Sequence, residues 1–227
     1  MLNTVNRPRQ KTATQRAAEQ IRQLIISGEL SANTNHLESA LADRLGISRT
    51  PVREATLMLQ SRGLLEVQPR KGVRICAIAI DDLAEIYLVN TELECLAARL
   101  VAGRRYSATE LEPLNESVKA MDVAHTNNQK DDWAKAEKSF SLTLIELSAN
   151  KRIAISVTGF SDQLRRVWTM ALRLGSIPDY AVTDYREQLG AMLSYNIQEA
   201  DTVLRRHREK DREFLMSILE KSGLRHV

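Results

Sequence analysis

The sequence predicts a mostly α-helical protein in two parts: a small head of three helices and a β-hairpin, then a body of about six helices. Three observations carry this. Apolar residues recur at helical spacing along most of the chain. One short stretch, residues 64–75, instead has strand propensity on either side of turn residues. Beyond about residue 80, only helical patterning continues. The predicted divisions are a flexible polar arm over 1–13, the head over 14–77 and the all-α body over 81–223.

In the head, Ala17, Ile21, Leu24 and Ile25 form one apolar stripe from Thr14 to about Ser27, and Gly28 closes the helix. Ser31 to Asn35 reads as a polar connection. Leu37, Leu41 and Leu45 make a second, short stripe stopped by Gly46. Ser48 is placed to cap a third helix that runs to about Gln60, with Val52, Ala55 and Leu59 inward. Pro51 falls in its first turn, where the missing N–H removes a donor that has no helical partner anyway. After Gly63, Leu64–Val67 and Val73–Ile75 read as two strands around the turn Gln68-Pro69-Arg70-Lys71-Gly72.

In the body, Asp81 or Asp82 is expected to cap a helix running to Gly103. Ser107-Ala108-Thr109-Glu110 has the form of a capping box. Asn127–Asp132 reads as a loop. Trp133, Ala136, Phe140 and Leu144 line the next helix, which ends near Asn150. Three more follow over about 151–174, 181–195 and 199–221, the first ended by Gly175 and the last followed by Gly223.

Composition narrows the function. With 43% hydrophobic and 27% charged residues, the chain has the make-up of a soluble globular protein. No apolar run approaches the roughly 20 residues that span a bilayer, and the N-terminus lacks the apolar stretch of a secretory signal, so a cytoplasmic protein with no membrane partner is expected. Cys76 and Cys95 have no metal-site spacing and read as free core thiols. Net charge is +3, unevenly spread: residues 1–78 hold twelve Lys and Arg against six Asp and Glu. A basic head suits a polyanion.

The second helix, turn and third helix have the layout of a helix-turn-helix, and the hairpin that of a wing. Arg49 and Arg53 lie one turn apart, opposite the apolar side, where a guanidinium can fork two hydrogen bonds to a guanine edge. Ser48 and Thr50 suit a phosphate. Arg70 and Lys71 beside Gly72 make a basic wing tip. The run HLESALADRLGISRTPVREATLMLQSRGLLEVQPRKGVRI resembles the DNA-binding domain of the GntR superfamily of bacterial regulators. The resemblance implies DNA contacts from Ser48, Arg49, Thr50 and Arg53, and minor-groove entry by Arg70, Lys71 and Gly72. One departure is Ala55-Thr56-Leu57-Met58-Leu59, where the family often has A-L-R-R-L.

The body resembles the all-α effector domain (FCD) of the FadR-like branch, and six helices suggest its VanR-like subgroup. That resemblance implies a homodimer on a short palindromic operator in double-stranded DNA, a small carboxylate-like effector and, in many members, a metal held by one Asp and three His. Here the metal pattern falls on Glu137, Ser141, Tyr185 and His207. A Ser hydroxyl and a Tyr are poor metal ligands, so neither metal nor other cofactor is expected. An effector bound directly by Glu137, Ser141, Tyr185 and His207, with Arg165 or Arg166, is expected instead; the arginine pair reads equally as a solvated face. No phosphate loop, metalloprotease helix or nucleophile elbow is present, which argues against an enzyme. The expected function is a ligand-responsive transcription regulator, a repressor by the family's commoner habit. The alternative is an architectural DNA-binding protein without an effector.

Overall fold

The computed structural model describes residues 11–222. The first ten residues of the expected arm, and Gly223, lie outside that range. The chain divides into two compact units between Ala77 and Ile78.

In the head, α1 (Ala13–Ile26) is followed by β1 (Asn35–His36), α2 (Glu38–Leu45), α3 (Arg49–Gln60), β2 (Leu65–Gln68) and β3 (Gly72–Ile75). Helix α1 begins at Ala13, one residue before Thr14, because Thr12 and Gln15 close a capping box. Gly46 ends α2 in the left-handed conformation, φ 67°. Two expectations are corrected here. Leu37 is no part of the α2 stripe: it precedes the helix and is 56% exposed. Asn35 is no loop residue either, since Asn35–His36 pairs antiparallel with Arg74 and Val73, giving a three-stranded sheet in the order β1-β3-β2. Ile21, Ile25, Leu41, Val52, Ala55, Leu59, Leu65, Val73 and Ile75 form one core that joins the hairpin to all three helices. The amide of Val67 also donates to Gln60 Oε1 at 2.7 Å, tying β2 to the end of α3.

The body is built of α4 (Ile80–Gly103), α5 (Ala108–Thr126), α6 (Lys130–Leu147), α7 (Lys151–Leu174), α8 (Asp179–Leu193) and α9 (Ile197–Ser222). Six helices were expected, but some ends differ. Asp81 and Asp82 lie inside the first turn of α4, after Ala79 at the cap position, where carboxylates still favour the helix dipole. The expected loop to Asp132 is shortened because α6 starts at Lys130. The Ser107/Glu110 capping box forms at the start of α5. Helix α9 packs chiefly along α4 and α8, and α5 along α6. Phe140, Leu144, Leu111, Leu114, Met121, Tyr185 and Leu204 belong to the main core, while Leu83, Tyr87, Val167, Leu215 and Leu219 form a second cluster. Neither Cys76 nor Cys95 forms a disulfide; Cys95 is buried and Cys76 only partly so.

Gly72 sits at φ 87°, and a Cβ there would lie 2.2 Å from the carbonyl oxygen of His36. Gly72→Ala is therefore expected to destabilise the head by more than about 2 kcal/mol, since the left-handed penalty of about 1–2 kcal/mol is joined by a backbone collision. Gly46→Ala meets nothing within 4 Å and is expected to cost only about 1 kcal/mol. Circular-dichroism melts of the two variants check the contrast.

Candidate functional site

The head carries exposed basic residues at two places, the start of α3 and the tip of the wing. Ser48, at the cap position of α3, has extended backbone and makes no side-chain capping bond, so its exposed hydroxyl remains available. Arg49, Thr50 and Arg53 are exposed, while Val52, Ala55 and Leu59 on the other side of α3 are at most 1% exposed. Burial of that apolar side fixes which way the two guanidinium groups point. Thr56 is fully buried and lies 3.4 Å from Glu38 of α2, whereas Leu57 and Met58 stand exposed. At the wing, Gln68 pairs with Gly72, leaving Pro69, Arg70 and Lys71 as the tip. Arg70 is at φ 64°, and the Lys71 amide donates to the Gln68 carbonyl at 3.1 Å. Arg70 and Lys71 are exposed.

In the body, Glu137, Ser141, Tyr185 and His207 are brought together through direct and shared contacts. Tyr185 donates from its hydroxyl to Glu137 Oε1 at 3.0 Å, and its ring lies 4.6 Å from the His207 ring. Ser141 donates to Glu94 Oε1 at 3.3 Å. Arg166 is 5% exposed, so the Arg165-Arg166 pair is not a solvated face.

Four further residues, Glu94, Asp184, Arg208 and Asp211, missed in the sequence, organise the site. Arg208 is buried and donates from Nε to Glu94 Oε2 at 2.6 Å and from Nη1 to Asp211 Oδ2 at 2.9 Å. Its Nη1 is 3.9 Å from Glu137 Oε1. Burial works against the guanidinium charge, but Glu94, Tyr185, Asp211 and Glu137 outweigh it and hold its pKa above the ordinary value. Burial also pushes the Glu137 carboxyl above the usual carboxylate range, against the pull of Arg208. His207 lies between two carboxylates, with Nδ1 3.3 Å from Asp184 and Nε2 3.5 Å from Asp211. Lys210 and Arg206 reach Asp184 from its other side, at 3.0 and 3.2 Å.

These residues do not fit the metal that the family pattern implies. Ser141 and Tyr185 are neutral and spend their hydroxyl protons on Glu94 and Glu137. Both ring nitrogens of His207 face carboxylates rather than an open position. The Arg208 guanidinium stands beside Glu137, where it repels a divalent ion. Among the described residues, no three His, Cys, Asp or Glu side chains are grouped to hold a metal ion.

A helix-turn-helix with a basic wing, joined to an all-helical body, defines a class of DNA-binding regulators. Residues 13–75 match the family described as bacterial regulatory proteins, gntR family, and residues 85–210 match the FCD domain. The chain belongs to the GntR family of transcription regulators and carries an FCD domain. It is 39% identical over 114 residues to an uncharacterised HTH-type transcriptional regulator of Agrobacterium vitis, covering 49% of this chain and 67% of that one. It is 27% identical to a probable D-xylose utilization operon transcriptional repressor of Paenarthrobacter nicotinovorans, over 84% of each chain. In fold it resembles the E. coli protein McbR/YncC, with a TM-score of 0.81 at 19% identity, over 92% of this chain and 99% of that one. The two relatives are named as transcription regulators rather than enzymes, and the matched domains are those of such regulators. Among the described residues no helix is long and apolar enough to cross a membrane.

Asp184 is 3% exposed, and hydrogen bonds from His207 and Lys210 overcome the cost of its burial to hold its carboxyl below the usual range. Asp184→Asn is expected to cost the body about 2 kcal/mol at neutral pH. Urea unfolding followed by tryptophan emission isolates this effect, because the chain's two tryptophans, Trp133 and Trp168, both lie in the body. The Asp184 contribution is full above its unfolded value of about 4 and is lost as pH falls through its lower folded value. The gap between wild type and variant should therefore close on acidification.

Proposed function

We propose that the protein is a homodimeric, effector-responsive repressor that places the N-terminal end of α3 from each head in successive major grooves of a short palindromic operator. One observation carries the DNA-reading part: Arg49 and Arg53 project from the same exposed face of α3, whose opposite face is buried to 1% or less. In this reading the two guanidinium groups specify bases, Ser48 and Thr50 hold phosphates, and Arg70 and Lys71 carry the wing to the minor groove. Gly72 serves by allowing the turn. Two heads related by a two-fold axis then require a two-fold operator.

For the body we propose a small organic effector that binds within the polar interior formed by α4, α6, α8 and α9, without a metal. Glu137, Ser141, Tyr185 and His207 belong to that interior through the contacts above. The carboxylate-like effector that the resemblance implies is not favoured by the charge around Arg208, whose guanidinium Glu94, Glu137 and Asp211 already face. Repression rests on family habit and on relatives that are themselves named as repressors or probable repressors. Effector and operator must influence each other's binding by the same factor. An architectural protein would show no such coupling.

The test is an operator-binding titration on sites selected from random DNA. Arg49→Ala and Arg53→Ala are each expected to lose about 1–3 kcal/mol and to relax preference at one base position. Lys71→Ala is expected to weaken all sequences evenly and to reduce the slope of log affinity against log salt by about 1. Wild-type affinity in both arginine variants rejects the assignment.

A further inference from the structure

Polar residues line the inside of the body in successive turns. At one end, the Tyr87 hydroxyl accepts a hydrogen bond from Trp168 Nε1 at 2.9 Å, and the Trp168 ring lies 5.9 Å from that of Trp133. Further along, Glu94 of α4 meets Ser141 of α6 and Arg208 of α9. Asn90 and Glu137 occupy the turns between. Asn90 is three residues after Tyr87 and four before Glu94; Glu137 is four after Trp133 and four before Ser141. Each therefore shares a helix face with the neighbours on either side of it.

Between these levels the hydrogen bonding is incomplete. Asn90 Oδ1 and Trp133 Nε1 are buried and have no hydrogen-bond partner among the described residues, though Asn90 and Trp133 are only 4% and 3% exposed. Buried polar atoms are nearly always met by protein, water or ligand. Glu137 keeps 27% of its side-chain surface open although Tyr185 and Arg208, which it faces, are 1% and 9% exposed. A carboxylate open to that degree among buried partners fronts a space, not a packed wall. Acidic side chains also gather here. Glu94, Glu137 and Asp211 converge on one guanidinium, and His207 beside Asp211 also faces Asp184.

We propose that this interior takes a small organic cation: an ammonium group whose N–H donors meet the Glu137 carboxylate and Asn90 Oδ1, carrying a hydroxyl or similar oxygen that accepts from Trp133 Nε1. Another carboxylate would add negative charge where three acidic side chains already face Arg208. The inference rests on the reading of the body as an effector domain and supplies its ligand class.

Thermal unfolding of the full chain, read by tryptophan emission, tests it with three matched probe sets: ethanolamine and 3-amino-1-propanol, glycolate and 3-hydroxypropionate, ethylene glycol and 1,3-propanediol. The amino alcohols are expected to raise the midpoint by several degrees, growing with the logarithm of concentration, while the acids and diols leave it unchanged. Glu137→Gln, which keeps an acceptor for Tyr185, should abolish the shift. Trp133→Phe should weaken amino alcohols but leave propylamine unaffected, with Trp168 as reporter. Stabilisation by the acids alone overturns the cation class and leaves the effector reading standing. A shift undiminished in both variants overturns the site. Silence from all three sets and from a broad organic library overturns the effector reading as well.

Discussion

The body depends on one buried guanidinium. Arg208 leaves water only because Glu94 of α4 and Asp211, one turn along its own helix, receive its N–H groups at 2.6 and 2.9 Å. Such a group adds little net stability over an apolar replacement, but removing one partner leaves an uncompensated charge inside the protein. Its effect is on register: α9 can lie along α4 in only one position that brings Arg208 to Glu94. Ser141 binds the same Glu94, and Tyr185 reaches Glu137 beside it, so α6 and α8 are set by the same charge. Where the family pattern supplies a metal ion as the common centre of several helices, this chain uses a covalently attached cation.

The head was largely legible because its chemistry is local. The start of α3, the inward side of Val52, Ala55 and Leu59, and the basic turn can each be read from a few neighbouring residues, and the structure shows the same layout. What escaped was non-local or too short to have a period. The strand Asn35–His36 contains no pattern of its own and exists only because β3 lies beside it. Leu37 mimics a helical stripe by its spacing from Leu41, yet it lies before the helix. The Thr12/Gln15 capping box is a local signal, T-x-x-Q, that stands just ahead of the apolar stripe of α1.

In the body the helices were legible and the polar site was not. The run Leu204-Arg205-Arg206-His207-Arg208-Glu209-Lys210-Asp211 looks like a solvated face, and charge alone does not distinguish Arg208 from Arg205 or Arg206. The usable signal was position: His207, Arg208 and Asp211 fall three, four and seven residues after Leu204, on the side that Leu204 and Leu215 mark as buried. A charged residue on an apolar stripe has to find a partner on another helix, and Glu94 is equally out of place on α4.

The close approach at Gly72 bears on how the head meets a duplex. The two-residue strand whose carbonyl crowds Gly72 ends at His36, two residues before α2 begins. The base of the wing is thus fastened to the entrance of the helix-turn-helix with no room for a side chain between them. If wing and recognition helix grip adjacent grooves, their separation is built into the backbone, and the head acts as a gauge of groove spacing. Binding sites that differ in local twist would then be told apart even where their base edges are the same.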